Sequence, residues 1–164
     1  MGTNKSDLAW KKFTKLDWWV GGTALLLVID LAALPWVDVS VGPLSYTRPG
    51  TGSPDGFLGI LALLAALAVA ADVVLARLAP SVKVTPVENF GRTKARLAAS
   101  AGALALLLLK FMLHLHPSYL GAGCWAALVV GVALVATSYR SLLAAPSTEA
   151  ANPGVPTGPE PAKE

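Results

Sequence analysis

Lys110 and Asp30 are the residues most in need of a chemical reason. Lys110 lies within LAASAGALALLLLKFMLHLH, residues 97–116, a run long enough to cross a bilayer core of about 30 Å as a helix. An ammonium at the centre of such a helix costs about 2.5 to 3.5 kcal/mol on insertion scales, so a charge there is paired or has a task. Asp30 lies within WWVGGTALLLVIDLAALPWV, residues 18–37. Each charge sits about seven residues inside one end of its run, counted to Pro117 and to Val37, which at 1.5 Å per residue is roughly 10 Å below the same interface. At that shared depth the two would form an intramembrane pair if the first and third runs touched. Such a pair would fix which helix faces which more than it would add stability. The other course open to Lys110 is to snorkel outward on its long stem.

His114 falls one turn beyond Lys110 on the same helical face, whereas His116 points elsewhere. Asp30, Lys110 and His114 together would make a polar track for a proton or small solute. Asp72, near the opposite interface, would join it only across an alanine- and leucine-rich middle, where Thr23 and Ser100 supply the polar atoms. The plainer reading, one buried pair plus two histidines near the headgroups, is preferred, because track-forming proteins place polar groups at several depths. Enzyme chemistry lacks its parts: there is no HExxH, no paired acid motif and no glycine-rich phosphate loop. His114, His116 and Cys124 make a poor metal set, with two of them pointing apart and no carboxylate beside them. Both histidines lie near one end of one helix, which does not suit a bis-histidine haem. The single cysteine, Cys124, forms no internal disulfide or CxxC motif and is expected to pack as a small apolar residue. No catalytic residue, metal or cofactor is therefore expected.

The elements that must position these groups follow from composition. Of 164 residues, 54% are hydrophobic and 14% charged, against about 25% charged in soluble domains, so the chain reads as a small integral membrane protein with the lipid bilayer as its first partner. Its net charge of +3 comes from basic residues flanking apolar runs. Positive-inside topology explains these, and nucleic-acid binding is not expected.

Residues 1–17 form a basic start in which Ser6 could cap a turn, with Ala9, Phe13 and Leu16 on one face and Lys11, Lys12 and Lys15 on the other. This segment either lies on an anionic membrane surface or simply extends the first span. The first span, 18–37, has Trp18, Trp19 and Trp36 placed as headgroup anchors. Asp30, and the absence of a small-residue cleavage site, argue for a retained helix over a signal peptide. The loop 38–55 is rich in glycine and proline, and alternation at Val37, Val39 and Val41 allows a short extended piece. The second span, 56–78, carries Ala62, Ala66 and Ala70 as a close-packing row. The third is 97–116, followed by a tight turn, and the fourth is 120–139, in which Gly123, Ala127 and Gly131 have small-xxx-small spacing for packing within the chain or against another copy. Residues 140–164 read as a disordered, proline-rich tail.

Lys5, Lys11, Lys12, Lys15, Arg77, Lys83, Arg92, Lys94, Arg96, Arg140 and Lys163 fall on one side of the membrane, and Arg48 alone on the other. That places both termini and the central loop in the cytoplasm and the two hairpin turns outside. With Leu34-Pro35-Trp36 closing the first span, an outer glycine-containing loop and an Ala/Leu second span, the stretch 18–139 resembles the small four-helix membrane proteins of unknown function found in high-GC bacteria. The resemblance implies a plasma-membrane location and no known activity. The expectation is thus an all-α, four-helix integral membrane bundle with antiparallel hairpins. It would serve as an accessory or scaffolding part of the cell envelope, partnered by itself through Gly123, Ala127 and Gly131 or by a larger membrane complex. The rival expectation is a small oligomeric transporter or ion-coupled carrier using Asp30 and Lys110.

Overall fold

The computed structural model describes residues 13–52, 55–79, 91–113 and 120–145. They form four helices, α1 (Lys15–Ala33), α2 (Gly56–Leu78), α3 (Arg92–Leu113) and α4 (Ala122–Leu143), with strands β1 (Pro35–Val41) and β2 (Leu44–Pro49) between α1 and α2. All four helices are long and apolar enough to cross a membrane. Of the expected basic segment 1–17, residues 15–17 already belong to α1; α3 begins at Arg92, five residues before the expected start of its span; and residues 140–143 of the expected tail continue α4. The segment up to residue 12, the turn after the third span and the tail beyond residue 145 lie outside the described residues.

Each helix turns one seam inward by alternating three- and four-residue steps, the spacing that keeps a stripe facing its neighbours. On α1 the seam is Asp17, Val20, Ala24, Leu27 and Leu31, and on α3 it is Arg96, Ser100, Ala103, Leu107 and Lys110. On α2, Ala62 and Ala66 of the alanine row are fully buried, continuing to Val69 and Val73, while Ala70 sits at the edge of the core. The helices close into a ring: α1 packs on α2 and α4, and α3 packs on the same two. Thus α1 and α3 occupy opposite corners.

α1 starts at a capping box. Thr14 Oγ1 accepts the Asp17 N–H at 3.2 Å, and the Asp17 carboxylate accepts the Thr14 N–H at 2.9 Å, satisfying two end donors reciprocally. The helix ends at Ala33, four residues before the expected limit of the span. Pro35 pushes the preceding residue out of helical space, and Leu34 is extended at φ −83°, ψ 146°. The chain then enters an antiparallel hairpin running from Val37 opposite Arg48 to Val41 opposite Leu44, an element more extensive than the short extended piece expected in an otherwise all-α chain. Gly42, at φ 62°, supplies the left-handed residue of the two-residue turn. Val37 also bridges to Leu120, so α4 begins at Ala122 rather than at residue 120.

Candidate functional site at the capped end of the bundle

The hairpin connection folds over one end of the ring. Trp36 is 2% exposed and so plugs that end rather than anchoring at headgroup level. Among the described residues Trp18, Trp19 and Trp125, 54%, 66% and 52% exposed, are the tryptophans whose rings reach the outer surface of the bundle. The Trp36 carbonyl accepts the Gly121 N–H at 2.8 Å, which ties the start of α4 to the same residue that plugs the bundle.

Lys110 reaches this plug from the end of the α3 seam and is 4% exposed. Its ammonium donates to the Gly50 carbonyl and, at 3.4 Å, to the Gly52 carbonyl. It lies 5.2 Å from the centre of the Trp36 ring, within cation–π range, and the charge of Asp55 acts on it. Gly59 makes the arrangement possible, because a Cβ at that position would overlap the Gly50 carbonyl oxygen. The Thr51 N–H donates to the Leu31 carbonyl at 3.2 Å, fastening the same loop to α1.

Asp30 is 2% exposed, and neither carboxylate oxygen has a hydrogen-bond partner among the described residues. The Trp36 indole neighbours the carboxylate without closing a hydrogen bond to it. Asp30 and Lys110 therefore both lie against Trp36, but no ion pair joins them among the described residues. Both residues lie toward the capped end of the bundle, yet opposite corners of the ring separate their helices, and loop carbonyls take the ammonium that was expected to meet the carboxylate.

Asp72 belongs to the other end. It accepts Arg92 Nε at 2.5 Å and Arg96 Nη2 at 2.7 Å, and its own carbonyl accepts Arg92 Nη2 at 3.1 Å. Beside it, Arg77 Nη2 meets Asp17 at 2.6 Å. Further into the bundle, the Ser100 and Ser138 hydroxyls lie 2.8 Å apart and those of Thr23 and Thr137 3.5 Å apart. Between these groups and Lys110 the α3 seam is closed by Ala103 and Leu107, both fully buried. Asp72 and Lys110 are thus separated by an apolar layer, and the polar track that would have linked them is not continuous among the described residues. His114 lies outside those residues.

The row Gly123, Ala127, Gly131 faces into the chain. All three are buried; a Cβ on Gly123 would sit 2.9 Å from both Leu34 Cβ and the Pro35 carbonyl oxygen, and one on Gly131 would sit 3.1 Å from Leu104 Cδ1. Contacts inside one chain occupy the face that was also expected to serve a second copy.

Four participants escaped sequence reasoning: the Gly50 and Gly52 carbonyls, the Trp36 side chain and Arg96. Carbonyl ligands leave no trace in residue type. The cation at the α3 start could have been found, since Arg96 and Lys110 are two heptads apart on one seam. Among the described residues no cluster of three or more histidine, cysteine, aspartate or glutamate side chains is arranged to hold a metal. Comparison of the chain with protein-family models, with curated proteins and with solved structures gives no match.

Proposed function

We propose that this chain is a multi-pass protein of the plasma membrane, with both termini cytoplasmic, that acts as an accessory or scaffolding component of the cell envelope. The observation that carries this reading is the use of the buried cation. Lys110 is spent holding the Gly50–Gly52 loop, so the intramembrane charge rigidifies a hairpin instead of lining a path. The apolar layer at Ala103 and Leu107 supports the same reading. Asp72, Arg77, Arg92 and Arg96 cluster at the end opposite Arg48, in keeping with a basic cytoplasmic side. On the outward side the hairpin offers Leu44 and Tyr46, both exposed, as the contact for a larger membrane complex.

The experiment is affinity purification from membranes in mild detergent. A stoichiometric larger partner, lost on the combined Leu44→Ser and Tyr46→Ser change while the protein stays monodisperse, supports the scaffold. Labelling of Ser45→Cys by a membrane-impermeant maleimide in intact cells tests the orientation.

Asp30 favours a second reading, a small ion-coupled carrier, because a buried carboxylate with two unpartnered oxygens is a costly group to retain without a task. Ion or proton flux into proteoliposomes that disappears with Asp30→Asn, and no co-purifying partner, would decide for the carrier.

A further inference from the structure

The seam between α1 and α2 opens outward into an apolar groove of about 700 Å³. Its wall on α1 includes Trp18, Gly21, Gly22 and Leu25, and its wall on α2 runs from Leu67 to Leu78. Small residues make the hollow: Ala70 and Ala71 line the α2 side, and a Cβ on Gly22 would meet nothing within 4 Å.

Length and position identify the occupant. Leu67 is the midpoint of α2 and Leu78 its last residue, so the groove covers half of one spanning helix. Eleven residues at 1.5 Å each make about 16 Å, matching one leaflet, half of a hydrocarbon core of about 30 Å. A spanning helix from another chain would call for a groove through both leaflets, whereas a lipid tail needs one. At the terminal end the groove meets charge. Asp17 lines it and holds Arg77 at 2.6 Å, with the Arg77 side chain 36% exposed. Nε and Nη2 of Arg77 are engaged by Asp17, which leaves further N–H donors of the guanidinium for another acceptor. Lys15 is exposed one turn before Trp18. Among the described residues two cations, Arg77 and Lys15, against the one carboxylate of Asp17 leave this mouth positive, at the level where a phosphate would sit.

The geometry points to a binding site for one anionic glycerophospholipid of the cytoplasmic leaflet, with an acyl chain in the α1–α2 groove and its phosphate near Arg77 and Lys15. The site rests on the reading of the chain as membrane-spanning and cytoplasmic at both termini.

The test uses the full chain in nanodiscs and phosphatidylglycerol carrying a diazirine in its acyl chain. Photo-adducts on the unsubstituted protein are expected on 21–25 of α1 and 67–75 of α2. Gly22→Leu projects into the hollow from a Cβ that meets nothing within 4 Å; displacing roughly two methylenes of lipid, it should lower the lipid retained in native mass spectrometry about tenfold. Gly22→Ala should retain it. Lys15→Gln should lower the preference for phosphatidylglycerol over phosphatidylcholine without abolishing either. Adducts spread evenly over all four helices, or a Gly22→Leu protein that keeps its lipid, overturn the site. A disulfide dimer through Gly22→Cys that excludes the adduct overturns it in favour of a second copy. Release of the protein from membranes by alkaline carbonate would instead refute the membrane reading itself, whereas a carbonate-resistant protein without groove adducts refutes the lipid site alone.

Discussion

The ammonium of Lys110 and the carbonyl of Gly50, sixty residues apart in the chain, are hydrogen-bonded under the Trp36 ring. This relationship gives an intramembrane lysine a structural reason that needs no carboxylate. A loop crossing the end of a helical bundle exposes carbonyls that lipid cannot satisfy, and a cation at the end of an inward seam satisfies two of them at once. Pro35 turns the chain out of α1, Gly59 leaves room for the loop to descend, and Trp36 covers the pocket. The Leu-Pro-Trp sequence is therefore a stop followed by a plug.

The roles of Lys110 and Asp30 should separate in a double-mutant cycle. Lys110→Met strips the Gly50 and Gly52 carbonyls of a charged donor and should lower stability by about 1.5 to 3 kcal/mol. Asp30→Asn removes a charge that has no partner and should be neutral or stabilising. The double substitution should remain as destabilised as Lys110→Met alone, as read by thermal unfolding in nanodiscs. A direct pair would give the opposite pattern, two destabilised single variants and a recovered double.

Gly59 should tolerate no side chain. Gly59→Ala places a methyl group on the Gly50 carbonyl, a backbone atom that moves only if the Lys110 contact is given up. Overpacking of this kind costs about 1 to 3 kcal/mol. Tryptophan emission should report it as well, because displacing the loop exposes the buried Trp36 indole against which Gly50 packs. Gly22→Ala, whose Cβ enters open space, is the matched control: it should leave emission unchanged and should not lower stability, since alanine suits a helix interior better than glycine.

At the opposite end, Arg96 should matter more than Arg92. Arg96 is 8% exposed along its side chain and gives both Nε and Nη2 to Asp72, whereas Arg92 is 28% exposed. Removing one partner of a buried pair costs about 3 to 5 kcal/mol, since it strands the other charge. Arg96→Gln should approach that range, and Arg92→Gln should lose less. Asp72→Leu combined with Arg96→Leu should recover part of the loss. Thermal unfolding at low and high salt checks the order, with the Arg92 contribution the more strongly screened.

Helix count and the second span were legible because long apolar runs have one stable form in lipid. The bounds 56–78 follow from composition alone, with Asp55 and Arg77 marking the ends. The end of α1 was less legible, since Trp36 has the chemistry of an interfacial anchor and only the extended backbone at Leu34 shows that the chain has left the helix. That Lys110 and Asp30 lie toward the same end of the bundle could be counted, but the separation of their helices could not, because the order of helices around a ring depends on how side chains interlock. The partner of Lys110 was not legible in principle: its acceptors are backbone atoms of glycines, identical in type to the carbonyls of every other residue. Asp72 shows the converse case. Arg92 and Arg96 are one helical turn apart and present two guanidinium groups on one face, a spacing that anticipates a shared carboxylate.

The small-residue row of α4 packs inside the chain, and substitutions along it should act accordingly. In lipid, a Gly-xxx-Ala-xxx-Gly row suits any close helix contact, and whether the contact is internal or between copies decides what a larger residue does. Here a Cβ on Gly123 meets Leu34 Cβ and the Pro35 carbonyl, which are backbone-fixed, while one on Gly131 meets the mobile tips of Leu104 and Leu107 at 3.1 and 3.3 Å. Gly123→Ala should therefore cost more stability than Gly131→Ala, the first within about 1 to 3 kcal/mol of overpacking and the second relieved by rotation of the leucines. Neither should change the mass of the detergent-solubilised protein measured by light scattering. A dimer that dissociates on Gly131→Ala while the monomer keeps its unfolding temperature would show instead that the row serves a second copy, which the burial of all three residues within one chain argues against.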